Sequence, residues 1–228
     1  MGSFMKFINS SIGKKLTMAI TGGFLLIFLV IHLIGNITLF FGPIAFNGYV
    51  SALDVIKPLI RIIELVLLTV FLLHIFNGTK LWLENKRARG TNYKVNGSSE
   101  NSDLFSRTMF VTGSIVFIFL VLHLGTFFWR FNVHDPAGLA NHHLYFDIVV
   151  SFFKIWWYVI LYVVAVILLG FHLNHGFQSA FQTFGWNHKK YFPFVKTIGT
   201  IYAIIMALGF ASMPIYFFLF YGGNQLQS

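Results

Sequence analysis

Five stretches of this chain are long, apolar and almost free of charge: about 16–41, 58–83, 106–131, 152–177 and 196–221. An α-helix rises ~1.5 Å per residue, so about 20 such residues cross the hydrocarbon layer and longer runs cross with some tilt. Backbone amides in lipid must be bonded inside a helix or a closed barrel. Barrel strands alternate apolar and polar residues, whereas Phe24 to Ile31 and Val159 to Leu169 are uninterrupted apolar runs. The expected class is therefore all-α: a polytopic membrane protein with a bundle of five transmembrane helices, forming a single transmembrane domain over residues 1–228.

Composition narrows the chemistry. Hydrophobic residues make up 57% and charged residues 10%, which leaves no room for a large extramembrane domain. The absence of cysteine excludes disulfides, thiolate zinc sites, cysteine-ligated iron-sulfur clusters and covalently attached c-type haem. The net charge of +9 comes from Lys and Arg scattered between apolar runs, a pattern that points to topology and not to nucleic acid. Lys6, Lys14, Lys15, Lys80, Lys86, Arg87, Arg89, Lys94, Arg107, Lys189, Lys190 and Lys196 fall on one side, against Lys57, Arg61, Arg130 and Lys154 on the other. The richer side is expected to be cytoplasmic, with the N-terminus there and the C-terminus outside.

Proline placement agrees, with Pro58 and Pro193 where helices should begin, Pro43 and Pro136 in loops, and Pro214 inside the fifth span, where it should kink the helix. The first span is too long for a signal peptide and is followed by no small-residue cleavage site, so it is expected to remain on the mature protein. Residues 84–103 form the one long polar stretch, a cytoplasmic loop suited to docking a soluble partner.

Ionisable groups inside spans mark function by default, and His32, His74, His123 and His172 lie in the first four spans, one in each. From the helical rise, His32 and His123 sit about 25 Å from the cytoplasmic ends of their helices, His74 about 14 Å and His172 about 8 Å. They sort into an outer pair and an inner pair, each from two helices, which is what two bis-histidine b-type haems require. A zinc site would need three or four ligands per layer. The bland alternative, that each His is a satisfied interior residue, weakens when four fall into two layers. His175 lies one turn from His172, and either could be the ligand of the inner haem. Gly35 and Asn36 after His32, Asn77 and Gly78 after His74, and Gly176 after His172 offer space for a flat ring. FLVIHLIGN in the first span is similar to FLVLHLGTF in the third, and both FLLHIFNG and LGFHLNHG precede a cytoplasmic end.

The five-span layout, the four histidines, SSIGKKLTMAITG followed by FLLIFLVIHLIGN, and FHLNHGFQSAFQTFG in the fourth span resemble the single-chain dihaem cytochrome b subunit of bacterial succinate dehydrogenase and fumarate reductase. The resemblance covers essentially the whole chain. It implies His32 with His123 on the outer haem, and His74 with His172 on the inner one, with His175 as a pocket residue near a propionate. It also implies a bacterial cytoplasmic membrane, a flavoprotein partner with FAD, an iron-sulfur partner, and menaquinone as the electron-exchange substrate. The dicarboxylate chemistry would belong to the flavoprotein.

Quinone chemistry needs a proton carrier and hydrogen-bond partners near a haem edge. The outer candidates are Asp54, Arg61, Glu64, Trp129, Arg130 and His134, with Arg61 or Arg130 alternatively neutralising haem propionates and Arg61 with Glu64 alternatively an ion pair. The inner candidates are Ser10, Ser11, Lys14, Lys80, Trp82, Ser106, Arg107 and Trp186, which also suit an ordinary basic and aromatic interface. His142 and His143, with His134, read as a solvated loop in preference to a metal site, and His188 as part of a basic turn. Two rivals remain open: a dihaem cytochrome b serving a hydrogenase or formate dehydrogenase, and a cofactor-free transporter using histidines as proton relays.

Overall fold

A helix must satisfy its first amides, and Ser10 does this where the first long helix begins. In the computed structural model, which describes residues 2–88, 104–134 and 144–221, a short helix α1 (Ser3–Asn9) gives way to α2 (Ser11–Ile37). The Ser10 hydroxyl donates to the Phe7 carbonyl at 2.6 Å and accepts from the Gly13 amide at 3.0 Å, closing one helix and capping the next. Gly13 is required here, because a Cβ would run into the Phe7 carbonyl.

After a 3-10 turn, Thr38–Phe41, Gly42 at φ 88° and Pro43 start α3 (Pro43–Val55). Pro43 therefore opens a helix and does not sit in a loop, in keeping with a ring that fixes φ and an N1 position whose amide has no helical partner. The chain continues as α4 (Lys57–Ala88) and α5 (Leu104–His123). Two π-helical turns, Leu124–Phe128 and Arg130–His134, follow α5. The last elements are α6 (Leu144–Phe153), α7 (Trp156–Thr183) and α8 (Phe192–Leu219). No strand occurs among the described residues.

Among the described residues, five helical stretches are long and apolar enough to cross a membrane: Ser11–Phe41, Lys57–Arg87, Thr108–Asn132, Trp156–Thr183 and Phe192–Leu219. The fourth begins later than its apolar run, because Phe152 and Phe153 belong to α6 and the helix breaks at Lys154 and Ile155. The apolar sequence of α6 masks that break. Pro214 lies within α8, which continues through it to Leu219. Pro136 and most of the 84–103 stretch fall outside the described residues. Hydroxyls inside the spans bond back to their own helix, as Thr17 does to Gly13 at 2.9 Å and Thr69 to Leu65 at 2.8 Å, so they need no water. Large apolar side chains such as Ile27, Ile34, Leu65 and Phe76 are exposed, as lipid-facing residues would be.

The chain divides into two units. The first comprises 1–28, 63–113 and 171–203; the second comprises 29–62, 114–170 and 204–228. In the first, the buried Lys14 ammonium of α2 holds the Glu84 carboxylate of α4 at 2.5 and 2.6 Å. Trp82 and Phe110 stack with ring centres 3.9 Å apart, and the Tyr202 hydroxyl donates to the Leu26 carbonyl at 2.7 Å. In the second, α3 packs on α6: the Asn47 side-chain oxygen accepts the Phe146 amide at 3.0 Å, and the buried rings of Phe146 and Phe217 meet edge to face. Leu33 of α2 packs against Gly209 of α8, where a Cβ would collide with its methyls.

Candidate functional site

Each unit contains one pair of imidazoles. In the first unit His74 of α4 faces His172 of α7, ring centres 6.3 Å apart. In the second, His32 of α2 faces His123 of α5 at 5.8 Å, with the ring planes at 87°. Bonds of about 2 Å to one metal from two imidazoles, plus about 1.1 Å from nitrogen to ring centre on each side, put the ring centres about 6 Å apart. Both pairs are at that spacing. No cluster of three or more His, Asp or Glu side chains able to hold a metal occurs among the described residues. Two imidazoles suffice only where the remaining equatorial ligands come from elsewhere, as from a porphyrin.

A ligating imidazole needs one nitrogen free, and the partners of the other nitrogen decide which. The Thr21 hydroxyl of α2 lies 3.2 Å from His74 Nδ1, and it donates its own proton to the Thr17 carbonyl at 2.7 Å. With its proton on that carbonyl it can only accept toward His74, an arrangement that favours the tautomer with the hydrogen on Nδ1 and the lone pair on Nε2. His172 is placed alike, with Thr112 Oγ1 3.5 Å from its Nδ1. Space beside these rings comes from Gly22 and Gly113. A Cβ at Gly22 would sit 3.5 Å from His74 Cε1, and one at Gly113 would sit 3.1 Å from His172 Cε1.

The second pair is set in aromatic surroundings. His123 Nδ1 and the Tyr162 hydroxyl are 2.5 Å apart, and Phe119 and Phe127 flank the His123 ring at 5.8 and 5.4 Å. Phe210 lies 5.7 Å from His32. The Asn36 amide donates to the His32 carbonyl at 2.7 Å and lies 3.4 Å from both ring nitrogens. The π-helical turn begins directly after His123 and widens the helix where Phe127 enters the cluster around Tyr162.

Of the glycines that follow the histidines on their own helices, a Cβ at Gly35 would collide with the Tyr49 ring, one at Gly78 would sit 3.5 Å from the Met18 methyl, and one at Gly176 would sit 3.8 Å from the Met109 methyl. The glycines that face imidazoles come from the neighbouring helices.

Among the outer candidates, Asp54 accepts from Lys57 at 3.0 Å and lies 3.4 Å from the Tyr145 hydroxyl. Arg61 donates to Asn132 at 2.9 Å, with its guanidinium 5.9 Å from the Phe128 ring centre. Arg130 lies 4.9 Å from the ring centre of Phe152, Trp129 is exposed, and Glu64 is half-buried on α4. His134 ends the second π-helical turn, and His142 and His143 lie outside the described residues. Of the inner candidates, Ser10 is a helix cap, Ser11 is exposed and Lys14 is paired with Glu84. Lys80 reaches Asn9 at 3.4 Å, Trp82 carries the Lys86 ammonium 5.0 Å from its ring centre, and Trp186 is exposed. Ser106 and Arg107 lie in α5, and His188 lies in the exposed turn before α8. His175 is half-buried one turn after His172.

Sequence reading singled out the four imidazoles but neither Thr21, Thr112 nor Tyr162, because a lone hydroxyl in a span reads as bonded to its own helix. The missed signal is a longer repeat: TMAITGGFLLIFLVIH (17–32) and TMFVTGSIVFIFLVLH (108–123) agree at Thr, Met, Thr, Gly, Ile, Phe, Leu, Val and His in register. Comparison with models of known families, with curated proteins and with solved structures gives no significant match to this chain.

Proposed function

We propose that this chain is the membrane-anchor, quinone-reactive dihaem cytochrome b subunit of a succinate:menaquinone oxidoreductase or fumarate reductase, with its N-terminus in the cytoplasm of a bacterium and its C-terminus outside. The observation that carries the reading is the spacing of the two imidazole pairs, 6.3 and 5.8 Å, each pair drawn from two helices. His74 and His172 would hold one haem, and His32 and His123 the other. Bound there, a b-type haem supplies reversible one-electron storage. The chain's own part is to fix the imidazoles, exclude water with apolar helices and anchor the partners. An iron-sulfur protein would exchange electrons with the chain, and a flavoprotein with FAD would interconvert succinate and fumarate.

The quinone half-reaction would use the outer candidates, among which Asp54, Glu64, Arg61 and Arg130 offer proton carriers and hydrogen-bond donors. Support for a respiratory partner comes from the motif resemblance. The test is to purify the tagged chain from its native membrane in mild detergent and add candidate reductants while recording the haem bands. Co-purification of a flavoprotein and reduction of the bands by succinate is the expected result. Reduction by hydrogen or formate, with no flavoprotein present, would instead make the chain the dihaem cytochrome of a different oxidoreductase.

A further inference from the structure

The repeat 17–32 and 108–123 does more than place His32 and His123. Its first half sets the same three residues, Met, Thr and Gly, against the histidine-bearing stretch of another helix, twice. In α2, Met18 packs on Gly78, Thr21 lies against His74 Nδ1 and Gly22 faces His74 Cε1. In α5, Met109 packs on Gly176, Thr112 lies against His172 Nδ1 and Gly113 faces His172 Cε1. Thr21 and Thr112 are both buried, and each hydroxyl lies within hydrogen-bond reach of two carbonyls of its own helix: Thr21 of Thr17 at 2.7 Å and Met18 at 3.2 Å, Thr112 of Met109 at 3.1 Å and Thr108 at 3.2 Å. With their protons on those carbonyls, the two hydroxyls in matching register present lone pairs to two facing imidazoles.

We propose that Thr21 and Thr112 are a matched pair of positioning residues that fix His74 and His172 with Nδ1 protonated and Nε2 turned to a shared metal. The repeated Thr-Gly dipeptide is the unit that builds this site, with glycine giving the ring room and threonine giving it orientation. The inference rests on the haem reading above. It adds that α2 and α5, which supply no ligand to this pair, control it. An imidazole that donates from Nδ1 is a more basic ligand, and removing such an outer partner commonly costs about 10- to 100-fold in metal affinity.

The test uses the purified complex and the variants Thr21→Val, Thr112→Val, Thr21→Ser and Thr112→Ser, with haem per chain and a spectroscopic redox titration as readouts. Valine keeps the shape and removes the acceptor, whereas serine keeps the acceptor. Thr21→Val is expected to raise the midpoint potential of one haem, weaken its retention about tenfold and leave the other haem unmoved. Thr112→Val is expected to move the same haem by less, since Thr112 stands farther from its imidazole, at 3.5 Å against 3.2 Å for Thr21. Both serine variants should restore wild-type behaviour; a haem lost in a valine variant but kept in its serine counterpart also supports the assignment. Unchanged midpoints in both valine variants, equal shifts of both haems, or serine variants that fail to restore would overturn the role of the threonines while leaving two haems in place. A wild-type chain without haem would instead overturn the underlying reading.

Discussion

The two imidazole pairs are alike in spacing and unlike in their surroundings. His74 and His172 are held by matching threonines and matching glycines, so the two sides of that site are near-copies. His32 and His123 come from matching helices, yet one has the Asn36 amide beside it and the other the Tyr162 phenol. The two similar segments, 17–32 and 108–123, give matching surroundings to one pair and differing surroundings to the other. The spacing is shared by both because it depends on helix register, whereas the outer partner of each ring depends on single side chains.

The sharpest way to break this comparison is to remove one ligand at a time. His74→Ala or His172→Ala should eliminate one of two haems and spare the other, and His32→Ala or His123→Ala should do the reverse, read as haem per chain. Loss of both haems in all four variants would mean that the pairs do not act separately. Next in size, Gly113→Ala should displace His172, since its Cβ would come within 3.1 Å of the ring, whereas Gly22→Ala makes an ordinary 3.5 Å contact with His74. The first should weaken haem retention about tenfold, in the range seen when a supporting partner is lost, and the second should leave it near wild type. Equal behaviour would remove the distinction between the two sides of the site.

A smaller effect is expected at the asymmetric pair. Tyr162→Phe removes the hydroxyl at His123 Nδ1 while the flanking Phe119 and Phe127 remain, so the haem should be retained and only its midpoint potential should shift. An unchanged redox titration would show that the phenol is packing alone. Smallest at the haems is Asn47→Ala, which leaves the buried Phe146 amide without its acceptor. The loss should be about 1 kcal/mol of thermal stability, at the low end for an orphaned donor because the buried Asn47 Nδ2 has no partner of its own, and neither haem band should change.

What the sequence made legible followed from uninterrupted apolar runs and from ionisable groups within them. The five long helices could be read because lipid demands length and apolarity together, and the depth of each histidine along its helix grouped His32 with His123 and His74 with His172, which the structure sets face to face. The short helices were not legible. The sequence LYFDIVVSFF of α6 is as apolar as a span, so its boundary at Lys154 disappears in a hydropathy reading, and Pro43 marks a helix start only once Gly42 turns the chain before it. The π-helical turns after His123 follow no residue pattern that a periodicity could show. Thr21 and Thr112 were hidden for a different reason: their hydroxyls are bonded to their own helices, and only the facing imidazoles give the remaining lone pairs a purpose.

The most direct measurement is a pyridine haemochrome assay on the detergent-purified chain, with a dithionite-reduced minus oxidised visible spectrum of the same sample. Two b-type haems per chain is the predicted result, one for each imidazole pair. A well-folded chain with no haem would contradict the account and return the four histidines to a structural or proton-carrying role.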